Sequence, residues 1–168
     1  MSKGSFVEMN CPIAQTLEQV GEWWTFVILR NAFCGMSRFQ DFQRDLGIST
    51  NVLTRRLARL VESGIFSREV SATDARVVHY RLTAKGFSLY PVLAAMTLWG
   101  EKWAPNPLGA RLTMVEKATG LPVAGVGILA ADGRALTPAE IDTVAGPAAD
   151  EKTHALMRMR EETNKHEQ

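Results

Sequence analysis

The sequence predicts an α+β fold, mostly helical with a two-stranded β element, and three observations predict it. Apolar residues recur at helical spacing in four short stretches before residue 64. Two β-branched, alternating runs follow, Ile65–Val70 and Val77–Leu82, and then a long apolar helix from about Ala84 to Trp103. A chain of 168 residues with 46% hydrophobic content is long enough for one domain of ordinary size with a small appendage.

The first four helices are expected at Ile13–Val20, Trp24–Phe33, Phe39–Leu46 and Leu53–Val61, with breaks at Gly21, Gly35, Gly47 and Gly64. Ser37-x-x-Gln40 reads as a capping box for the third helix, and Ser49 as the N-cap of the fourth. The polar run Ser71–Arg76 makes the two strands a hairpin with an exposed tip. Thr83 caps the long helix, which ends before Pro105 and Pro107. A helix-turn-helix followed by a hairpin and a long helix is the winged helix-turn-helix plan. Beyond Pro107 the run Arg111–Glu116, a turn at Thr119-Gly120, the run Val123–Leu129 and a second turn at Asp132-Gly133 suggest a small C-terminal β-hairpin. A polar helix from about Ala148 to Glu162, with Leu156 and Met159 as its apolar contacts, and a frayed NKHEQ tail complete the extension. The expected division is residues 1–104 for the winged helix-turn-helix domain and 105–168 for the hairpin-and-helix extension.

Net charge is only +1, so its distribution matters more than its total. Residues 1–103 hold 12 Lys/Arg against 9 Asp/Glu, whereas residues 104–168 hold 7 against 9. Residues 49–60 contain three arginines and no acid. The chain has no run of about 18 apolar residues and no signal-peptide pattern at MSKGSFVEMNCP, so a cytoplasmic protein without membrane contact is expected. Cys11 and Cys34 are too few for a disulfide scaffold or a metal knuckle, and the extension, outlined like a zinc ribbon, contains no cysteine. No metal or cofactor is expected. Catalytic motifs are lacking: there is no phosphate loop, no H-E-x-x-H and no nucleophile elbow, and His79 is expected to face solvent from the second strand.

On the fourth helix Leu53, Leu57, Leu60 and Val61 form an apolar stripe, while Asn51, Thr54, Arg55, Ala58, Arg59 and Glu62 form a polar one. A helix that presents Asn, Thr and Arg after a tight turn at Gly47 suits a major-groove reader of double-stranded DNA, because Arg bridges guanine O6 and N7 and Asn bridges adenine. Base-edge contacts are expected from Ser49, Asn51, Thr54, Arg55 and Arg59, with Arg56 and Arg38 nearer phosphate and Arg76 on the wing. Any amphipathic helix needs a polar face, and the competing reading is a winged-helix module for protein contacts without DNA binding. That module would not need Arg55, Arg56 and Arg59 clear of acids.

The chain resembles the HxlR-type regulators of the MarR-like winged-helix group over about residues 10–103. The resemblance rests on Cys11-Pro12-Ile13, Val27-Ile28-Leu29-Arg30, Arg38-Phe39, Ile48-Ser49, Leu53-Thr54-Arg55-Arg56-Leu57, Leu60-Val61-Glu62-Ser63-Gly64, Tyr80-Arg81-Leu82-Thr83-Ala84-Lys85-Gly86 and Trp99-Gly100. It implies a cytosolic homodimer that binds a palindromic promoter operator, joined through the first helix and the long one; a repressor is the expected mode. A stripe of Leu89, Val92, Met96, Trp99 and Trp103 independently favours a dimer, since a helix apolar on several sides wants a second partner.

The resemblance also implies, for some members, sensing of oxidants or electrophiles through the cysteine matching Cys11. Helix starts favour negative charge and the thiolate is the reactive form, which fits Cys11 before Pro12, although packing is the commoner fate of a lone cysteine. Cys34 is expected in the core. A non-covalent aromatic effector is the alternative, with Trp23, Trp24, Phe26 and Phe33 as pocket lining or simply as core.

Overall fold

Pro12, at the first turn where its missing N–H costs nothing, opens helix α1 (Pro12–Val20). Three more helices follow in chain order, α2 (Thr25–Phe33), α3 (Phe39–Leu46) and α4 (Thr50–Glu62), then strands β1 (Phe66–Val70) and β2 (Val78–Leu82). Next come α5 (Ala84–Phe87), α6 (Tyr90–Trp103), the short strands β3 (Ile128–Leu129) and β4 (Ala135–Leu136), and α7 (Glu151–His166). The computed structural model describes residues 6–166, with side chains as far as residue 160. These fall into two compact units: residues 22–126, and the described residues before 22 together with those from 127 on.

In the unit 22–126 the core forms where the periodicity places it. Ile28 and Leu29 of α2, Phe42 of α3, Leu53, Leu57 and Leu60 of α4, and Ile65 and Phe66 are all buried almost completely. Each such side chain contributes on the order of 1.5–3 kcal/mol by leaving water, and Phe42 stacks on Phe66 at 6.4 Å. The turn between α3 and α4 reverses at Gly47, whose φ of 62° and ψ of 20° place it in the left-handed region that a side chain disfavours. Ser49 then accepts a hydrogen bond from the Val52 N–H and starts α4 as expected. Buried Asn31 ties α2 to α3: it accepts from Arg30 Nε at 2.9 Å and donates to Asp45 Oδ2 at 2.7 Å.

The wing is antiparallel, Phe66 pairing with Leu82 and Val70 with Val78. Thr83 accepts from the Gly86 N–H and so caps α5, and Gly86 lies so close to Ile65 that a Cβ there would sit 2.4 Å from the Ile65 carbonyl oxygen.

Several expectations are corrected. The helix expected over 84–103 is two helices, because Pro91 has no N–H to give the Phe87 carbonyl; α5 stops at Phe87 and α6 restarts with the proline in its first turn. Ser37 does not cap α3. Arg38 occupies the N-cap position without a side-chain bond, while Ser37 Oγ and His79 Nδ1 are hydrogen-bonded at 2.9 Å. His79 is therefore half-buried rather than solvent-facing. Cys34 ends α2 and is exposed, not core. The two turns after residue 107 make two small hairpins, one bridging Val115 to Pro122 and one pairing β3 with β4.

The other unit is built differently. Gln15 Nε2 donates to the carbonyls of Val7 and Met9, and the Phe6 N–H donates to Glu18, so the segment before α1 is tied to that helix by polar bonds. Thr137 and Glu140 form a capping box around a 3-10 turn at Pro138–Glu140, and Asp150 caps α7 by accepting from both the hydroxyl and the N–H of Thr153. These bonds hold both carboxyls below the ordinary carboxylate value: Thr153's hydroxyl and then its N–H act on Asp150, and Thr137's N–H and hydroxyl on Glu140. Asn10 Nδ2 donates to the Ala148 carbonyl at 2.8 Å, joining the two sequence-distant halves of this unit. α7 runs to His166, past the expected fraying point, and residues 167–168 lie outside the described residues.

Candidate nucleic-acid interface

The leucines of α4 turn fully inward, so its opposite face is presented outward. Ser49, Asn51, Thr54, Arg55 and Arg59 are all exposed along it. Arg55 makes no ion pair or hydrogen bond with any described residue, leaving its whole guanidinium fork available. Arg59 lies 3.8 Å from Glu62, one turn away and equally on the surface, which is a loose pair.

Arg56 stands apart from the others. It pairs with Glu22 at 2.7 Å, only 20% of its side chain is exposed, and its Nε is buried without a partner. In the free protein its charge is paired across to the segment before α2, so it is not clear of acids as the run 49–60 suggests. The acid that claims it is 34 positions away in sequence, which is why inspection of residues 49–60 missed it.

Arg38 is exposed at the start of α3, and its backbone bridges to His79 of β2. At the wing tip Arg76 is 91% exposed, but Asp74 accepts from its Nε at 3.1 Å and its Nη2 at 3.2 Å. Arg76's side chain and then its backbone N–H hold the Asp74 carboxyl below the usual carboxylate value. The wing arginine thus has an acidic neighbour within its own hairpin tip.

The residues expected at a dimer contact are largely bare. Val92, Met96, Trp99 and Trp103 are exposed on α6, the two tryptophans at 66% and 64%, while Leu89 is half-buried. Of the aromatics named as pocket lining or core, Trp23 is 93% exposed, and Phe33 packs edge-on against Phe87 and Tyr90, with ring centroids 5.8 and 5.0 Å apart. Cys11 is half-buried as the N-cap of α1, in extended backbone geometry with no capping bond from its side chain.

Three packed helices, a tight turn before an outward-facing α4, and a two-stranded wing define a winged helix-turn-helix protein. The chain belongs to the HxlR-like helix-turn-helix family, whose model matches residues 19–107. It is 41% identical over 97 residues to the uncharacterized HTH-type transcriptional regulator Rv3095 of Mycobacterium tuberculosis, over 58% of this chain and 61% of that one. The chain thus spans less than two thirds of that relative's length. Among solved structures it is similar to PA1607, described as a candidate transcription factor, with 34% identity and a TM-score of 0.78 over 85% of this chain and all of that one. It is also similar to PA1374 of Pseudomonas aeruginosa, 41% identical with a TM-score of 0.60 over 89% and 99% of the two chains. The reduced form of the redox regulator HypR matches 56% of this chain and 95% of its own, at 32% identity and a TM-score of 0.53. The family and these relatives are transcription regulators rather than enzymes. No helix among the described residues is long and apolar enough to cross a membrane.

Proposed function

We propose that the protein is a homodimer that regulates transcription by binding a two-fold operator in duplex DNA, with α4 in the major groove, and that it represses the genes it controls. The observation that carries the reading is α4 itself: its leucines are fully buried while Ser49, Asn51, Thr54, Arg55 and Arg59 line the opposite, exposed face. Arg38 and Arg76 flank that face as phosphate or minor-groove contacts. Residues 22–126 act as the reading head, and the exposed apolar faces of α6 and of α1, where Leu17 is 42% exposed, supply the dimer contact. Two-fold symmetry places half-site centres about one helical turn apart, roughly 10 bp, or a multiple of it.

Selection of fragments by the purified protein, followed by a salt titration on the selected and on a random duplex, tests this. The selected duplex binds with a steep salt slope, and Arg55→Ala lowers its affinity by about 1–3 kcal/mol while relaxing sequence preference. Unchanged affinity in the Arg55→Ala/Arg59→Ala double variant rules out the groove assignment and leaves the protein-contact module.

A second reading concerns control. The likeness to HypR, solved in reduced and oxidized forms, and the helix-start position of Cys11 support thiol sensing of oxidants or electrophiles. Diamide then releases the wild type and Cys34→Ser from DNA but leaves Cys11→Ser bound. Equal release of all three excludes Cys11 as the sensor.

A further inference from the structure

Beside Cys11 lies a cavity of about 580 Å³, within the roughly 300–1,000 Å³ range of small-molecule sites. Its walls come from the start of α1, the loop before α7 and the first turns of α7, and include Cys11, Ile13, Val144, Pro147, Leu156 and Met157. All belong to the unit that the extension shares with the N-terminal segment. Among the described residues no Asp, Glu, Lys, Arg or His side chain lines it.

Its main polar side chains are already spent inside the protein. Asn10 donates to the Ala148 carbonyl, and the Thr153 hydroxyl donates to Asp150. Charge appears at its margins, in two adjoining recesses: one of about 220 Å³ that shares Cys11 and Leu156 and is edged by Glu8, Asp150 and Lys152, and one of about 180 Å³ that shares Val144 and Met157 and is edged by Asp142, Arg158 and Arg160. A ligand bearing charge would have to shed its hydration in the larger cavity and find no counter-charge there, a cost that an uncharged apolar molecule avoids.

The geometry points to a reversible binding site for a small, uncharged, apolar molecule in this cavity, one that needs no reaction at the thiol. Cys11 is one wall of it, a soft and polarizable surface that suits aromatic or branched aliphatic contacts. The inference goes beyond DNA reading and thiol sensing, and requires neither to hold. The loop that forms the opposite wall is tied to the residue before Cys11 by the bond from Asn10 to the Ala148 carbonyl.

The test uses the full chain and the neutral fluorophore N-phenyl-1-naphthylamine, titrated by fluorescence with no oxidant present. Binding is expected to saturate near one molecule per chain with blue-shifted emission. Val144→Asp and Leu156→Asp, both at exposed positions that tolerate substitution, place a charge in the wall and weaken the probe about tenfold or more, which corresponds to about 1.4 kcal/mol. Cys34→Ser, exposed and outside the lining, keeps the affinity within about threefold. Circular dichroism confirms that each variant is folded. Non-saturable binding, or equal affinity in wild type and both Asp variants, overturns the proposal. So does binding that arises only at dilutions where sedimentation shows monomer, because a second copy then fills the cavity. Loss of duplex binding or of diamide response with the probe affinity intact counts against those other readings alone.

Discussion

The two units of this chain are stabilised by different means. Residues 22–126 bury a continuous set of large apolar side chains, with Ile28, Leu29, Phe42, Leu53, Leu57, Leu60, Ile65 and Phe66 removed from water. In the other unit Val20 and Ala14 of α1 are buried, but from residue 127 to 160 no side chain is, and order there comes from caps and turns such as Thr137–Glu140 and Asp150–Thr153. Close packing makes the first unit a rigid scaffold that can hold a reading helix in register. Polar local bonds leave the second with an open apolar recess, which packing would have filled.

The sharpest way to break that contrast is to delete methyl groups in both places. Leu57→Ala should cost about 2–5 kcal/mol of unfolding free energy, while Ile128→Ala, on an exposed two-residue strand, stays within about 0.5 kcal/mol. Urea unfolding followed by circular dichroism measures both, and similar losses would erase the distinction. Trp99→Asp probes the surface of the packed unit: the fold is expected to survive, since Trp99 is exposed, while sedimentation shows monomer in place of dimer. A wild type that is monomeric at micromolar concentration would remove the premise.

Glu22→Gln comes next in size. It strands the mostly buried charge of Arg56, and a loss of roughly 1–3 kcal/mol is expected, between the values for exposed and fully buried pairs. No loss would mean that Arg56 swings out to solvent and is available to phosphate after all. At the wing tip, Asp74→Ala frees Arg76 from its internal partner. Affinity for any duplex should rise, with the salt slope steeper by about one, and an unchanged slope would take Arg76 off the interface.

The smallest effect belongs to the capped helix of the second unit. Because Asp150 has its carboxyl lowered in the folded state, its stabilisation is present above the unfolded value near 3.8 and is lost as pH falls through the lowered folded value. Helix signal in Asp150→Ala should therefore differ from wild type at neutral pH, and the two should converge in strong acid.

Much of the packed unit was legible because its signals are local. The stripe Leu53, Leu57, Leu60 forecast the buried face of α4, Ser49 its start and Gly47 the turn before it. Where the reading failed, a residue had two local roles available and a distant partner chose between them. Ser37 fits a capping box, but His79 from the second strand takes its hydroxyl. Arg56 sits in an acid-free run, yet Glu22 reaches it. Pro91 is a different case, a local signal that hydrophobic periodicity outweighed in the reading although its missing N–H ends α5.

The sequence by itself determined the winged helix-turn-helix plan and the face of α4 that turns outward, because helical and strand periodicities and glycine conformations act over a few residues. Tertiary structure alone decided which arginines are free, where the histidine points and that the loop before α7 comes to lie beside Cys11. Those outcomes depend on which charges and apolar surfaces meet across 34 to 138 residues of chain, and no local pattern encodes such a meeting.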